Sequence, residues 1–282
     1  MRSHIVGSSS TTARTVRMAT PQSFTPPFTS SGRSALVQAP PWHYAGWLVN
    51  VAFEFDAANG AVLVPAGLGA ATGKGCVHFA DWQFCGDDGR ELLDPVYAQY
   101  RETIVVLEIE QKKRGDGDVP RSFYCPLIYV DQDVSLLRGW LQGWPKKIGQ
   151  TWLTRSMPLI HPAAAPLAAG SRLGASLSVK ERRLVDATVT LSGEQTGRLG
   201  FLSAPTVGAI GWPDLTQPGI AAVPRYLRAD IIDRVEPGWT AGSATLKFHE
   251  HPVEELASLG PVEATAASAG WMGITVRGAI AV

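Results

Sequence analysis

The stretch Thr103-Ile-Val-Val-Leu-Glu-Ile-Glu110 decides the fold class of this 282-residue chain. Its residues from Ile104 to Leu107 are all apolar and include β-branched side chains, which favour extended backbone. Neighbouring side chains of a strand point to opposite faces, so this strand is predicted to be apolar on both. A strand of this kind belongs in the interior of a sandwich or barrel rather than in a sheet with one solvent-exposed face.

Runs of similar composition recur between turn residues, at Trp47 to Phe55, Tyr124 to Asp131, Asp186 to Ser192 and Met272 to Val282. Helical patterns are few. One runs from Asp133, the expected cap, through Gln142 with Gly143 just past its end, and two weaker ones cover Arg225 to Val235 and Pro252 to Leu259. The sequence therefore predicts a mainly β fold, an antiparallel and closed or nearly closed barrel with a few short helices.

The chain is predicted to hold one folded domain. Residues 1–35 are rich in Ser, Thr and Pro and show no hydrophobic period, which predicts a disordered tail. Residues 36–282 contain no composition break that would divide them, and a hydrophobic content of 45% is enough for one sizeable core. The fold is therefore expected to be built from residues 36–282 alone.

Charge and cysteine content exclude several classes of function. Lys plus Arg and Asp plus Glu number 25 each, and the only basic cluster, Lys112-Lys113-Arg114, is typical of a solvated hairpin loop, so nucleic acid is not an expected partner. Three cysteines without Cys-x-x-Cys spacing favour neither a disulfide framework nor a zinc site, and they fit a reducing cytoplasm. No apolar run reaches the about 18 residues that a membrane helix needs, so membrane insertion is not expected.

The candidate chemistry lies in Trp144-Pro145-Lys146-Lys147, directly after the predicted helix. Proline favours an extended backbone before it, and neighbours in an extended chain face opposite sides, so one lysine can point inward while the other remains in solvent. An amine attacks a carbonyl only when it is unprotonated, and burial lowers the pKa of a lysine from about 10.4. The inward-facing lysine of this pair, with Trp140 and Trp144 as apolar neighbours, is therefore the expected nucleophile.

These residues resemble the active-site segment of the acetoacetate decarboxylase superfamily, because Pro145-Lys146-Lys147 follows an Ile-Tyr-Val-Asp strand. Further landmarks occur in the family's order at Pro40 to Tyr44, Val64 to Leu68 and His251 to Leu256, so the resemblance covers residues 37–282. It implies a cone-like β-barrel, assembly into a homo-oligomer, no metal or organic cofactor, and an imine on Lys146. For Lys147 it implies a supporting role at most, since the strand geometry turns this residue away.

Several charged positions depart from the family pattern. Its Tyr-x-Glu element is matched to Tyr97-Ala98-Gln99, its Gly-Arg-Glu element to Arg138-Gly139-Trp140, its second acid to Ala80 and its arginine to Ala45-Gly46. Glutamine cannot exchange a proton as a carboxylate does. The preferred hypothesis is therefore that a 2-oxo acid such as pyruvate forms an enamine on Lys146, adds to an aldehyde, and the aldol loses water.

This hypothesis assigns roles to the remaining site residues. Gln99 and Gln142 are expected to bind the substrate carboxylate or a bridging water, and Tyr97 or Glu102 to transfer protons. The substrate-binding candidates are completed by Trp140, Trp144, Arg138 and Lys147. The two tryptophans either stack on an aromatic aldehyde or fill the core. The expected partner is a small-molecule carbonyl compound.

Two other functions stay open. A decarboxylase of a β-keto acid such as acetoacetate would keep the electron-sink iminium on Lys146 despite Gln99. A non-catalytic protein could bind a small hydrophobic carbonyl compound in the same pocket, although a buried lysine carries a desolvation cost that a passive apolar pocket does not require. The pair His249 and His251 has no third ligand nearby in sequence and is interpreted as a surface or hydrogen-bonded pair rather than a metal site.

Overall fold

The computed structural model describes residues 23–110 and 121–282. Within these ranges the chain forms eleven strands and two α-helices: β1 (Trp42–Glu54), β2 (Ala71–Gly86), β3 (Gln99–Ile109), β4 (Ser122–Val130), β5 (Lys146–Ile148), β6 (Gln150–Leu153), β7 (Arg172–Val179), β8 (Arg182–Thr196), β9 (Thr206–Ile210), β10 (Arg225–Phe248), β11 (Glu263–Ala281), α1 (Pro95–Ala98) and α2 (Asp133–Gln142). Short 3-10 helices lie between them at Ala57–Val62, Arg90–Leu93, Pro162–Ala164, Gly200–Leu202 and Leu256–Leu259. The prediction of a mainly β fold with a few short helices is confirmed.

One sheet contains all of the described strands, in the order β11-β1-β2-β3-β4-β9-β10-β8-β7-β6, with β5 beside β4. Among these strands, neighbours are antiparallel except where β4 pairs with β5 and with β9. Strand β10 also pairs with β11. The strands β11, β1, β2, β3, β4, β9 and β10 are therefore each hydrogen-bonded to the next, and the last of them is hydrogen-bonded to the first. The two parallel pairs correct the expectation of a purely antiparallel sheet, and the cone-like closed barrel stays a prediction.

The stretch of β3 that decided the fold class is buried on both faces. Ile104 is 3% exposed, and Val105, Val106 and Leu107 are 0% exposed. Burying one aliphatic side chain stabilises a fold by about 1.5–3 kcal/mol, so four such residues in a row hold this strand in the interior. Glu102 precedes Ile104 by two residues in the same strand, which places both side chains on one face.

Helix α2 begins and ends where the sequence predicts. Its N-terminal cap is Gln132 rather than Asp133, because the Gln132 side chain accepts a hydrogen bond from the backbone N–H of Ser135 at 3.2 Å. The Asp133 carboxylate instead accepts from the adjacent N–H of Val134 at 2.7 Å. Gly143 ends the helix with a φ of 93°, a left-handed conformation that glycine adopts without a steric penalty.

The two weaker helical patterns are wrong in whole or in part. Residues 225–235 lie in the long strand β10, where Arg225 to Leu227 pair with β9 and Leu227 onward pairs with β11. Of the pattern from Pro252 to Leu259, only Leu256–Leu259 is helical, as a single 3-10 turn. Pairing on both edges of β10 supplies more stabilisation than a weak local helical preference.

The N-terminal part of the description begins at residue 23. Residues 23–38 form turns in which the Thr25 hydroxyl bonds to the backbone carbonyl and N–H of Val37, both at 2.9 Å. Contacts along the chain place a boundary between compact units after Gln38. Of the tail predicted over residues 1–35, residues 1–22 lie outside the described residues, as does the predicted hairpin loop at Lys112-Lys113-Arg114. The division at residue 36 stays a prediction.

Across residues 23–110 and 121–282, no helix combines the length and the apolar character needed to cross a membrane.

Candidate active site

Lys146 is the first residue of β5 and lies between a helix and the sheet interior. Helix α2 ends at Gln142, and the Lys146 N–H donates to the Trp144 carbonyl at 2.8 Å in a tight turn across Pro145. Strand β5 then pairs in parallel with β4, with Lys146 opposite Ile128. The side chain of Lys146 is 7% exposed, whereas that of Lys147 is 46% exposed. The two neighbours therefore diverge as the extended backbone predicts.

The stem of Lys146 crosses α2 at a glycine. A Cβ added to Gly139 would overlap Cδ and Cγ of Lys146 and would lie 2.6 Å from its Cε. Glycine in a helix interior costs about 1 kcal/mol of stability relative to alanine. At position 139 this cost is accompanied by close packing of the Lys146 side chain on the helix. The missing Cβ creates the groove in which the amine is held.

The amine of Lys146 has two polar partners. Its Nζ lies 2.6 Å from Oε1 of Glu102 and donates to the Ser135 hydroxyl at 3.0 Å. The second carboxylate oxygen of Glu102 accepts a hydrogen bond from the Trp82 indole N–H at 3.0 Å. The ring of Tyr100 lies below the amine, with its centroid 5.3 Å from Nζ. Glu102 is thus fixed by Trp82 on one oxygen and faces the nucleophile with the other.

Burial lowers the pKa of Lys146 below the ordinary value of a lysine, although the Glu102 carboxylate opposes this effect and Arg138 adds to it. The charged form loses more hydration than the ion pair returns. A larger fraction of the amine is therefore unprotonated near neutral pH, which is the state that attacks a carbonyl. Burial likewise raises the pKa of Tyr44 and Tyr100, so both phenols remain neutral hydrogen-bonding groups.

Arg138 carries a buried positive charge next to this site. Its side chain is among the largest that are fully buried, and its guanidinium carbon lies 3.4 Å from the centroid of the Phe84 ring. Tyr44 and Tyr100 face the same cation, with ring centroids at 5.5 and 5.6 Å. Within the described residues, none of its three guanidinium nitrogens has an acceptor at hydrogen-bond distance and angle, although the cation is close enough to the Tyr44 hydroxyl to oppose the rise in its pKa. Ring faces alone compensate only part of the cost of burying a charge, so the surroundings favour a nearby anion.

A cavity of about 50 Å³ adjoins the amine. Its polar wall consists of Tyr44, Tyr100, Glu102, Gln142 and Lys146. Its apolar wall includes Ile104, Ile128, Trp144, Phe201, Ile274 and Val276. The Gln142 amide donates to the Tyr44 hydroxyl at 3.2 Å, which fixes both groups on one side. Arg138 lies behind this wall rather than in it, and Glu102 is the one carboxylate among the described lining residues.

A family model described as acetoacetate decarboxylase (ADC) matches residues 24–282. The chain belongs to the acetoacetate decarboxylase family. No curated protein sequence matches it.

Solved structures of family members and related enzymes share this fold. The enduracididine biosynthesis enzyme MppR, solved with the condensation product of pyruvate and imidazole 4-carboxaldehyde, is 30% identical with a TM-score of 0.83, over 94% of this chain and 98% of that one. An acetoacetate decarboxylase-like enzyme from Sphingomonas wittichii RW1 is 25% identical with a TM-score of 0.80, over 92% and 99%. The acetoacetate decarboxylase from Legionella pneumophila is 14% identical with a TM-score of 0.68, over 87% and 88%, which shows the fold alone.

The structure corrects the register in which the acetoacetate decarboxylase pattern was matched. Tyr97 lies in the short helix α1 and is 53% exposed, and Gln99 is exposed at the start of β3, so neither lines the cavity. The Tyr-x-Glu element is present three residues later, as Tyr100-Arg101-Glu102. Both Tyr100 and Glu102 line the cavity, and Glu102 is the carboxylate beside the Lys146 amine.

The other departures from the acetoacetate decarboxylase pattern have a structural basis. Ala80 lies directly opposite Glu102 in the pairing of β2 with β3, so no second acid faces the first from that position. Gly46 lies opposite Trp82, and a Cβ at Gly46 would come within 2.8 Å of the Trp82 ring. An arginine at Gly46 would displace the indole that fixes Glu102.

The remaining candidates fall into two groups. Gln142 and Trp144 line the cavity, as a substrate-binding role requires. Trp140 does not line it, because its indole N–H donates to the backbone carbonyl of Lys146 at 2.9 Å and its ring packs on Trp212 with centroids 4.6 Å apart. Trp140 thus supports the backbone that carries the nucleophile.

Lys147 contributes to a separate cluster. Its Nζ lies 2.7 Å from Oε2 of Glu254, and the same oxygen accepts the Tyr129 hydroxyl at 2.5 Å. Burial alone would raise the pKa of Glu254, but the hydrogen bonds from Lys147 and Tyr129 hold it below its ordinary value. Lys147 is absent from the lining of the cavity, so the cluster anchors β5 rather than the substrate.

Sequence reasoning missed Ser135, Tyr44, Trp82, Tyr100 and Phe201. One signal was available, since residues two apart in a strand share a face and Tyr100 and Glu102 have that spacing in β3. A second signal was the position of Ser135 one helical turn before Gly139 in α2, which places both on one face of the helix. Tyr44, Trp82 and Phe201 come from segments distant in sequence, which local spacing does not encode. The paired histidines are not close to this site: His249 bonds to Asp186 at 2.8 Å and His251 to the carbonyl of Val179 at 3.3 Å.

Proposed function

We propose that this protein is a lysine-dependent carbon-carbon lyase that joins a 2-oxo acid such as pyruvate to an aldehyde and removes water, or runs the reverse reaction. The observation that carries the proposal is the buried amine of Lys146, with its lowered pKa and with Oε1 of Glu102 at 2.6 Å. The structure of MppR holds a condensation product of this kind, and MppR is 30% identical to this chain.

The first step is the formation of an imine. The unprotonated amine of Lys146 attacks C2 of pyruvate, and the C2 oxygen leaves as water. The apolar wall around Ile104, Ile128 and Trp144 limits access of bulk water and keeps the amine in its reactive form.

The substrate carboxylate is expected to lie against the Gln142 amide and the Tyr44 hydroxyl. Both groups donate hydrogen bonds, and both face the cavity from the side where Arg138 is buried. The unpaired charge of Arg138 would attract an anion through this wall, since electrostatic interactions are stronger in a buried setting than in water. The same three groups would disfavour a neutral ketone of similar size.

Glu102 is the group that moves protons in this proposal. It removes a proton from C3 of the imine, which gives the enamine, and C3 then forms a bond with the aldehyde carbon while the aldehyde oxygen takes a proton. Loss of the second C3 proton and of the new hydroxyl releases water and leaves a carbon-carbon double bond. Hydrolysis of the imine consumes one water and returns the Lys146 amine, so the complete reaction releases one water for each product formed.

A decarboxylase of a β-keto acid is the second candidate, and the position of Glu102 favours it. The acid that was thought to be replaced by Gln99 is present beside the amine. The iminium on Lys146 would accept the electrons of the breaking carbon-carbon bond as carbon dioxide leaves. Ala80, opposite Glu102, leaves this pathway without a second acid at that position.

Turnover assays separate these candidates. Pyruvate is incubated with a panel of aldehydes, and the conjugated 2-oxo-3-enoate product is followed by ultraviolet absorbance and mass spectrometry. Wild-type protein and Lys147→Met should form product and Lys146→Met should form none, with circular dichroism confirming that each variant is folded. Product from Lys146→Met would refute a lysine mechanism. Release of carbon dioxide from acetoacetate without any condensation product would favour the decarboxylase, and no turnover of either kind would favour a binding protein.

A further inference from the structure

A second, larger cavity adjoins the one at Lys146. Its volume is about 330 Å³, against about 50 Å³ for the inner cavity. The two share Trp144, Phe201, Ala229 and Ile231 as lining residues, so they meet at a common wall. The larger cavity, called the outer cavity below, is therefore the space next to the Lys146 cavity (the inner cavity) that is available to a substrate larger than pyruvate.

The outer cavity carries an excess of positive charge. Arg198, Arg228 and Arg234 line it, and Asp230 is the one acid among the described lining residues. Asp230 already pairs with Arg277 outside the cavity, at 2.9 Å. This acid is therefore compensated without help from the three arginines of the lining.

Two of these arginines are only partly neutralised. Arg198 and Arg234 contact the two oxygens of one carboxylate, Glu236, at 2.6 and 3.4 Å. Arg234 also donates to the backbone carbonyl of Leu202 at 2.7 Å, which fixes its direction. One carboxylate between two guanidinium groups leaves one positive charge in excess.

Arg228 adds a second uncompensated charge. It lies in β10, its side chain is exposed to the cavity, and it makes no ion pair with any acid in the described chain. A guanidinium group presents a planar fork of N–H donors that matches a carboxylate. Because no acid of the described chain pairs with Arg228, this guanidinium group is available to bind an anionic ligand in the cavity.

The wall between the cavities is held in place by a buried histidine. His78 is fully buried, and its Nε2 accepts the backbone N–H of Phe201 at 3.4 Å while its ring packs edge-on against the Phe201 ring, with centroids 4.5 Å apart. Gly200 precedes Phe201 with a φ of 50°, and a Cβ there would overlap the imidazole. Phe201 is thus fixed as an apolar surface that faces both cavities.

We propose that the outer cavity binds the aldehyde partner and that this aldehyde carries a carboxylate, held by Arg228 with support from Arg198 and Arg234. The inference rests on the proposed condensation at Lys146 and specifies its second substrate as an ω-oxo acid. The apolar chain of such a substrate lies against Trp144 and Phe201, with its aldehyde directed to the inner cavity and its carboxylate to the arginines. The product is then a dicarboxylate, with one carboxylate near Gln142 and the other near Arg228.

The test compares two aldehydes that differ in charge and by one methyl group. With pyruvate as the first substrate, kcat/KM is measured for 4-oxobutanoate and for its methyl ester in wild type, Arg228→Gln and Arg225→Gln. Arg225 is a matched control, because it is an exposed arginine of the same strand that does not line the cavity. Wild type and Arg225→Gln should prefer the acid, and Arg228→Gln should lose about tenfold of that preference, the scale of one charge-assisted hydrogen bond. Equal use of acid and ester by wild type, or an equal loss for both in Arg228→Gln, would overturn the inference.

Two further measurements distinguish failure of the outer binding site from failure of the proposed condensation at Lys146. Trapping of pyruvate on Lys146 by borohydride should be unchanged in Arg228→Gln, so trapping without a charge preference refutes the outer site alone. Binding of 4-hydroxybutanoate, which has the carboxylate but no carbonyl, is measured by calorimetry in the absence of pyruvate. Weaker binding to Arg228→Gln than to wild type supports the outer site even where no chemistry occurs, and equal binding or no binding to wild type contradicts it.

Discussion

Replacing Gly139 with alanine should have two opposite effects on the free energy of unfolding, a gain from helix propensity and a loss from overlap with the Lys146 side chain. In an ordinary helix interior, this change stabilises by about 1 kcal/mol. Here the new methyl group would overlap the stem of Lys146, whose Cε lies 2.6 Å from the Cβ position, and overpacking of this kind costs about 1–3 kcal/mol. We therefore expect Gly139→Ala to leave stability unchanged or to lower it by about 2 kcal/mol at most.

The same change in a Lys146→Ala background removes the overlap. Gly139→Ala should then stabilise by about 1 kcal/mol, so the interaction energy between the two positions is about 1–3 kcal/mol. Urea unfolding of the four proteins measures this cycle. Leu141→Ala is the control, since Leu141 is 39% exposed on the same helix and should combine additively with Lys146→Ala. A Gly139→Ala effect of the same sign and size in both backgrounds would refute the packing of Lys146 on α2.

Three further predictions address the charges around the site. Glu102→Gln removes the carboxylate that opposes burial, so the pKa of Lys146 should fall further and the acid limb of the pH profile of imine formation should move down by about one pH unit or more; an unchanged profile would argue against the ion pair. Burial lowers the pKa of His78 to about 3, so below pH 6.5 the unfolded chain binds a proton that the folded chain does not. Unfolding free energy should therefore drop by about 1.2 kcal/mol from pH 6 to pH 5, and His78→Gln should flatten this slope in urea titrations at the two pH values. Lys147→Met should destabilise the fold by about 1 kcal/mol at pH 7, because it removes the ion pair with Glu254. The effect should be smaller at a pH low enough to protonate Glu254, since the lowered pKa of Glu254 contributes stability only while its carboxylate is ionised. An equal effect at pH 3 and pH 7 would exclude the Glu254 pair as the cause.

The parts of the fold that follow from the sequence are those with a strong local signal. The stretch from Ile104 to Leu107 is β-branched and apolar on both faces, and it is buried on both faces. Helix α2 has the predicted bounds because glycine at position 143 permits the left-handed turn that ends it. The opposite orientations of Lys146 and Lys147 follow from extended backbone, which depends only on near neighbours.

The errors occur where distant pairings outweigh local preference. The helical pattern over residues 225–235 gives way to β10 because this segment pairs with β9 at its start and with β11 from Leu227 onward. Tyr97 and Gln99 do not line the cavity, because Tyr97 lies in α1 and Gln99 is the exposed first residue of β3, and the sequence signals this boundary only weakly. The outer cavity had no sequence signal, since the pairings of β4 with β9 and of β9 with β10 bring its walls together.

Borohydride trapping tests the central claim most directly. The protein is incubated with pyruvate, reduced with sodium borohydride, digested, and the mass of each lysine-containing peptide is measured, with Lys146→Met and Lys147→Met as matched variants. We expect a stable pyruvate adduct on Lys146 in wild type and in Lys147→Met, and none in Lys146→Met. An adduct on Lys147, or an adduct that persists when Lys146 is replaced, would contradict it.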